Sequence, residues 1–348
     1  MFDTATVLRG LADKAGTSGS ESSGISDAVE ALFLARTDDV WRDPHGDVFA
    51  RMGSGSPTIL ICAHMDEVGL AVSGIAENGM LRMARIAGVD PRVLPGLEVT
   101  VHGKKPLRGI IGAIPPHLSG NAKEPYRLEE LTCDVGLSYE EACALVSVGD
   151  SITYAPGDPE ELLSGSLTSK TLDDRALITV MLDTMDHLRG RTLPCTVVFC
   201  ATCEEEVGCF GGGTAGHHVM PDMAVALDVG HAPTEGAPSY RTAPLDRVIL
   251  YKGGNIHPGM FSMLSACAAE WRVPTATIVA MGATGTDGRR LQMSGLGVPT
   301  AVVEVPLKYM HTPVELISVD TLHACARLLT EWLSSISPDW EDKLCWND

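Results

Sequence analysis

Four short, almost wholly apolar runs along the chain predict buried strands. Such runs are typical of strands that are covered on both faces of a parallel sheet. They are TILICA (58–63), TVVFCAT (196–202), AVALDV (224–229) and PTAVVEV (299–305). Segments with apolar residues at helical spacing lie between and after these runs. The alternation of strands with helices predicts the α/β class.

Two segments carry the clearest helical periodicity. Residues 171–188 and 318–333 each place their apolar side chains on one stripe, which predicts amphipathic helices. Thr171 and Asp174 stand at the spacing of a capping box, and Ser318 is the expected N-cap of the second helix.

The middle of the chain has a different pattern. From 71 to 164 it consists of short β-like pieces such as GLEVTVHG and LRGIIGAIPP, punctuated by glycine and proline. We therefore predict an inserted, β-rich domain over 71–164. The catalytic domain would then be discontinuous, formed by 1–70 and 165–348.

Composition and charge narrow the class of protein. A chain of 348 residues that is 45% hydrophobic can bury a sizeable core. A net charge of −19 argues against nucleic acid or an anionic membrane as partner. Most cysteines lie within apolar segments, which is typical of reduced thiols, and no signal-peptide core or membrane-spanning run is seen. We expect a cytoplasmic protein.

Polar residues follow the apolar runs. His64 and Asp66 follow the first run, Glu204 to Glu206 the second, Asp228 ends the third, and His311 comes shortly after the fourth. A further candidate, Asp173, opens the long helix. Ligands of open α/β sheets gather outside the carboxyl ends of the strands, so we expect these residues to converge.

The residue types favour divalent metal ions. Imidazoles mixed with carboxylates suit zinc, cobalt or manganese better than calcium. Five protein ligands are too many for one catalytic zinc, so two ions that share a bridging carboxylate fit better. In the glutamate run one side chain would bind metal and a neighbour would act as general base, although the spacing does not say which does which. Taken singly, each of these residues also has an ordinary structural explanation.

Several short motifs resemble those of one enzyme family, the glutamyl and deblocking aminopeptidases (the TET-type dinuclear metallopeptidases). The matching pieces occur in family order and cover most of the chain. They are AHMDEVG (63–69), SKTLDDR (169–175), EEVG (205–208), LDVG (227–230), GTDG (285–288) and YMHTPVE (309–315).

The resemblance implies a role for each matching residue. His64, Asp173 and Asp228 would bind one metal ion, and Asp173, Glu206 and His311 the other, with Asp173 as the bridge. Glu205 would be the general base, and Asp66 would orient the His64 imidazole. These residues stand in the motifs just quoted. Glu204 departs from the family pattern, in which this position is commonly neutral.

The resemblance also implies features of the fold and assembly. It implies a three-layer, mostly parallel sheet with helices on both faces, and a cis peptide bond after Asp173. The insertion at 71–164 would mediate dimerisation, with dimers assembling into a dodecamer. Gly285, Thr286 and Asp287 would line the substrate pocket.

The function expected on this basis is removal of N-terminal residues from peptides. Two zinc or cobalt ions, or manganese, would activate water, and Glu205 would take its proton. The alternatives are a metal-dependent deacylase of amino-acid derivatives, a metal-independent glycosidase with paired carboxylates, and a non-enzymatic scaffold. The sequence does not indicate the preferred N-terminal residue.

Overall fold

The protein, seen in a computed structural model, is described over residues 3–119, 125–155, 157, 160–162 and 164–344. The α-helices are α1 (Thr4–Ala12), α2 (Ile25–Leu34), α3 (Pro116–Ser119), α4 (Tyr139–Leu145), α5 (Leu172–Leu188), α6 (Phe210–Val219), α7 (Pro258–Glu270), α8 (Gly288–Leu291) and α9 (Val319–Ser334). The strands of the first half are β1 (Val40–Arg42), β2 (Val48–Met52), β3 (Thr58–His64), β4 (Gly69–Ile75), β5 (Leu81–Ile86), β6 (Glu98–His102), β7 (Pro106–Gly112), β8 (Thr132–Asp134) and β9 (Ser151–Tyr154). Those of the second half are β10 (Glu160–Leu162), β11 (Ser166–Ser169), β12 (Thr196–Thr202), β13 (Met223–His231), β14 (Val248–Lys252), β15 (Thr275–Val279), β16 (Thr300–Lys308) and β17 (Glu315–Ser318).

One large sheet forms the framework. Its strand order is β1-β2-β12-β3-β13-β16-β17-β11-β10, and β14 and β15 branch from β16. The centre of the sheet, β12-β3-β13-β16, is parallel, and antiparallel strands extend it on both sides. The four predicted buried strands are these four central strands, so the predicted α/β sheet is confirmed.

Helices cover both faces of the sheet. One face carries the larger core, in which side chains of α1, α2, α5, α7 and α9 pack against alternate residues of the central strands. On the other face the intervening strand residues form a second core, to which α6 and α8 contribute Ala215 and Leu291. Burial on both faces explains why these strands read as continuous apolar runs rather than as an alternating pattern.

A six-stranded closed barrel forms a second unit. Its order is β4-β5-β8-β7-β6-β9, and it has a hydrophobic core of its own. The predicted division at 71 and 164 and the dimerisation role of this unit stay predictions. The barrel bears on the site because Tyr154, at the end of β9, and Gly88, after β5, contact the loop that carries His311.

The start of α5 departs from a regular helix. The Asp173–Asp174 peptide bond is cis, as predicted, and both residues have non-helical backbone angles. The predicted capping box is absent: Thr171 has left-handed backbone angles, and its hydroxyl donates to the Lys170 carbonyl instead. The missing helical turn removes the backbone N–H that a capping side chain would bind.

Within the part of the chain that the structure describes, no helix has both the length and the apolar character needed to cross a bilayer. The cytoplasmic location stays a prediction.

Candidate active site

Asp173 lies between two imidazoles. Its Oδ1 is 3.0 Å from Nε2 of His64, and its Oδ2 is 3.2 Å from Nε2 of His311. Burial alone would raise the pKa of Asp173, but the hydrogen bonds from both histidines outweigh burial and hold this pKa well below its usual range. Each carboxylate oxygen therefore faces a different histidine, which is the arrangement a bridging ligand requires.

His64 is fixed at the end of β3. Its Nδ1 lies 3.1 Å from the Asp66 carbonyl and 3.3 Å from Asp66 Oδ1, so the Nδ1–H has acceptors and Nε2 points to Asp173. Burial would lower the pKa of His64, but its hydrogen bonds with Asp173 and Asp66 raise it well above normal. Metal-bound histidines commonly have such an acceptor on the second ring nitrogen.

His311 reaches the same carboxylate from the loop between β16 and β17. Its Nδ1 lies 3.2 Å from the Gly88 carbonyl, and its Nε2 lies 3.1 Å from Glu206 Oε1. His311 has a left-handed φ of 63°, which is unusual for a residue with a side chain and is often found at functional sites. Burial opposes protonation, but the hydrogen bonds with Asp173 and Glu206 raise the pKa of His311 to about 11.

Asp66 organises the loop after β12 as well as His64. Its Oδ1 and Oδ2 accept the backbone N–H groups of Glu205 and Glu206 at 3.1 and 3.2 Å. Ser18 donates its hydroxyl to Oδ2 at 2.6 Å. The single buried carboxylate therefore sets the orientation of one histidine and the position of both glutamates.

The three consecutive glutamates have three different environments. Glu206 faces His311, as described above. Glu205 is buried beside Cys209, whose thiol donates to its Oε1 at 3.1 Å. Burial first, and then the charges of Asp228 and Asp287, raise the pKa of Glu205 to about 10. Glu204 is partly exposed, and its Oε2 lies 3.8 Å from His45 Nε2.

Asp228 completes the predicted set from within β13, near its carboxyl end. Ligand atoms of His64, Asp174 and Asp228 all lie within 4.8 Å of one another, as do those of His64, Asp173 and Glu206. Burial, followed by the charge of Asp228, raises the pKa of Asp174 well above its usual range. The structure thus brings all five predicted ligands to one place, but the group that contains Asp228 includes Asp174 rather than the predicted bridge Asp173.

This cluster fits divalent cations. It combines imidazole nitrogens and carboxylate oxygens in a buried setting, where an uncompensated negative charge is costly. Burial, and in addition the charge of Asp173, raise the pKa values of Asp228, Glu206 and Glu315. Oδ1 of Asp174 is buried with no hydrogen-bond partner among the described residues. Cations at the centre of the cluster would relieve all of these costs.

The sequence analysis did not identify the residues that support the ligands through hydrogen bonds and buried ion pairs. Glu315 accepts the backbone N–H of Asp173 at 3.1 Å and that of His311 at 2.7 Å. Glu67 forms buried ion pairs with Lys170 at 2.7 Å and with Arg175 at 3.3 Å. All four residues stand inside the motifs that also supply the ligands, and this adjacency was the one available signal.

Of the three residues predicted to line the substrate pocket, one lies in a pocket wall and two are buried. Gly285 lines a pocket beside the site. Thr286 and Asp287 are buried. Asp287 accepts the Thr202 hydroxyl at 2.6 Å and the Gly212 N–H at 3.2 Å, so it fastens α6 to the end of β12. Their role in binding substrate stays a prediction.

Comparison with known proteins agrees with this geometry. The M42 glutamyl aminopeptidase family matches residues 46–328 of the chain. Lysyl aminopeptidase of Pyrococcus furiosus is 28% identical over 339 residues, which is 95% of this chain and 97% of that protein.

Two solved structures of similar proteins are TET peptidases. The TET aminopeptidase from a marine sediment archaeon, Thaumarchaeota archaeon SCGC AB-539-E09, superposes with a TM-score of 0.91 at 27% identity, over 98% of this chain and 99% of that one. The Pyrococcus horikoshii TET1 peptidase, which can assemble into a tetrahedron or a large octahedral shell, superposes with a TM-score of 0.82 at 25% identity, over 96% of this chain and 100% of that one. The chain therefore belongs to the M42 glutamyl aminopeptidase family and is a hydrolase of the metallo-aminopeptidase class.

Proposed function

We propose that this protein removes N-terminal residues from peptides with the help of two divalent metal ions and a glutamate general base. The observation that carries the proposal is the placement of Asp173 between His64 and His311, with one carboxylate oxygen toward each Nε2. His64, Asp173 and Asp228 would hold one ion, and Asp173, Glu206 and His311 the other. Zinc or cobalt fits this mixed donor set, and manganese is a third choice.

The bound ions would polarise the scissile carbonyl and acidify the attacking water. The protein's own residues supply the positions and the proton transfers. Asp66 holds His64 and the backbone of Glu205 and Glu206 in one arrangement. Groups that are held in the correct geometry before the reaction lower the entropic cost of reaching the transition state.

Glu205 is proposed as the general base. It lies beside Glu206 and within the same buried site, and neither of the two clusters that surround His64 includes its side chain. Its carboxylate would take a proton from the attacking water and pass it to the leaving amine. The cations would lower the pKa of Glu205 from its metal-free value of about 10 toward the range a base needs.

The decisive variant is Glu205→Gln, with Glu204→Gln as the matched control from the same run. We expect the first to lower kcat on aminoacyl amides by about 10²–10⁴-fold while elemental analysis still finds wild-type metal content. Glu204→Gln should retain activity because its side chain is partly exposed. Near-normal turnover by Glu205→Gln would contradict the assignment.

Chelation and substrate panels separate this function from its rivals. Removal of metal should abolish activity, and zinc, cobalt or manganese should restore it, whereas a metal-independent glycosidase would survive. The two histidines that face the Asp173 carboxylate are also not expected in a glycosidase that works with a pair of carboxylic acids.

A substrate panel distinguishes an aminopeptidase from a deacylase. Free-amine aminoacyl amides should be hydrolysed faster than N-acyl amino acids. The reverse order would identify a deacylase.

We also propose that the chain forms a homo-oligomer of dimers, up to a dodecamer. The support is the likeness to the TET1 peptidase, which assembles into closed shells. Light scattering after size-exclusion chromatography tests this proposal. A monomer at micromolar concentration would contradict it.

A further inference from the structure

A second pocket lies next to the metal-ligand cluster. Its volume is about 340 Å³, and it lies where the carboxyl ends of the parallel strands β14 and β15 reach Glu304 in the middle of the antiparallel strand β16. Its walls include His231, Arg241, Tyr251, Met281, Gly285 and Glu304. Tyr251 and Met281 provide apolar surface, and Glu304 is the one acidic residue among the lining residues.

Glu304 is a buried acidic residue in the middle of an otherwise mostly apolar strand. The residue is only 4% exposed, and it follows four buried residues of β16. The Tyr251 hydroxyl hydrogen-bonds to the Glu304 carboxylate. Oε2 of Glu304 is buried and has no hydrogen-bond partner among the described residues. A buried, unpartnered carboxylate oxygen is costly, and a cationic group with hydrogen-bond donors would offset that cost.

Strand register places this carboxylate close to the proposed metal ligands. Glu304 pairs with Asp228 in the parallel ladder of β13 and β16, so the two side chains lie on the same face of neighbouring strands. Its Oε2 lies over Gly230, where a Cβ would come within 2.3 Å of that oxygen. Gly230 is two residues beyond Asp228, on the same face of the strand. The space that Glu304 occupies therefore exists because position 230 has no side chain.

We propose that this pocket receives the side chain of the substrate's N-terminal residue and selects lysine or arginine through Glu304. The inference rests on the proposed aminopeptidase function and names its substrate class. A peptide whose first carbonyl lies at the metal cluster would direct its first side chain into a neighbouring pocket. The aliphatic stem would lie against Tyr251 and Met281, and the cationic end would meet Oε2 of Glu304.

The pocket also contains a cation, Arg241, which would favour an acidic side chain instead. Arg241 is exposed, and its guanidinium lies 5.9 Å from the centre of the Tyr240 ring. A charge in water is screened, whereas a buried charge acts through a lower dielectric. The buried Glu304 therefore outweighs the exposed Arg241 in the choice of side chain.

The first measurement uses the wild-type protein and amides of lysine, arginine, leucine and glutamate. We expect kcat/KM for lysine and arginine to exceed those for leucine and glutamate by at least about tenfold, because a site with a buried unpaired group strongly rejects substrates that leave it unpaired. A preference for leucine or glutamate would overturn the proposal and leave the aminopeptidase function intact. Failure to hydrolyse any of the four would count against the proposed function itself.

The second measurement uses Glu304→Gln, which keeps the shape of the side chain and removes its charge. The lysine-to-leucine ratio of kcat/KM should fall about tenfold, chiefly through a higher KM for the lysyl amide. Glu235→Gln is the matched control, because Glu235 is an exposed acid on the loop after β13 and does not line the pocket. An unchanged ratio in Glu304→Gln, or an equal fall in both variants, would refute the role of Glu304. Metal content should match the wild type in both variants.

Discussion

The two histidines of the proposed metal centre face the same carboxylate but are supported in different ways. The His64 side chain, 2% exposed, ends a central strand of the parallel sheet, and its acceptor Asp66 is two residues away in sequence. The His311 side chain is 24% exposed and lies in a loop with left-handed backbone. Its supports are Gly88 and Tyr154, which lie beside and within the barrel, and Glu315 on β17.

The proposed centre therefore has two halves. The half around His64 is part of the large sheet, and the half around His311 depends on contacts between the sheet and the barrel. The half around His64 is built into strand hydrogen bonds that also hold the protein together. The half around His311 is instead held by hydrogen bonds with Gly88 and Tyr154, which lie beside and within the barrel. We therefore expect the ion on the His311 side to be lost first when metal is limiting, and the following variants test that asymmetry.

The largest effect should come from Asp173→Asn, which affects both halves. Asparagine has one carbonyl oxygen and no charge, so it cannot offer an anionic oxygen to each ion. We expect elemental analysis to find both ions lost and kcat/KM to fall by at least about 10³-fold. Asp246→Asn, at an exposed acid, is the control. One ion retained at full occupancy would show that Asp173 does not bridge.

A smaller and more selective loss should follow Gly88→Ala. An added Cβ would come within 2.6 Å of Nδ1 of His311, so the imidazole must move away from Asp173 and Glu206. We expect one ion per subunit to remain and activity to fall by about 10²-fold, the size typical for a misplaced catalytic group. The control is Gly10→Ala, because a Cβ at that position meets no atom within 4 Å. Loss of both ions would contradict the separation into halves.

The sequence was informative where polar residues follow apolar runs. His64 ends β3, Glu206 follows the end of β12 at Thr202, and Asp228 lies near the carboxyl end of β13, which continues to His231. Neighbouring parallel strands bring such positions together by geometry alone. This is why the ligands could be proposed without coordinates. All four central strands were predicted, but β13 continues to His231 and β16 to Lys308, beyond the predicted ends at 229 and 305.

The remaining features depend on contacts that no local pattern records. Glu315 and Gly88 act through backbone atoms or through the absence of a side chain, and Tyr154 comes from a different unit. Thr171 has the right spacing for a cap, but the irregular first turn of α5 removes its partner. Glu304 lies inside an apolar run, and only the strand register places it beside Asp228.

Glu315→Gln should weaken metal binding without removing a ligand. The carboxylate accepts backbone N–H groups from both Asp173 and His311, whereas glutamine has a single acceptor oxygen and must leave one of them unpaired. We expect metal affinity to fall about 10–100-fold, as is usual for outer partners of metal ligands. Titration of the metal-free protein with zinc and a competing chelator measures it. Full activity at saturating zinc would confirm that Glu315 acts by positioning, and an unchanged affinity would contradict its role.

The smallest effect should come from Tyr154→Phe. The Tyr154 hydroxyl donates to the His311 carbonyl at 3.2 Å, and phenylalanine keeps the ring while it removes this bond. Loss of one neutral hydrogen bond costs about 0.5–1.5 kcal/mol, which corresponds to a few-fold to about tenfold change in an equilibrium constant. If the barrel holds the His311 half in place, that change should appear only in the weaker of the two zinc affinities. Equal weakening of both sites, or of neither, would show that the barrel does not support one half selectively.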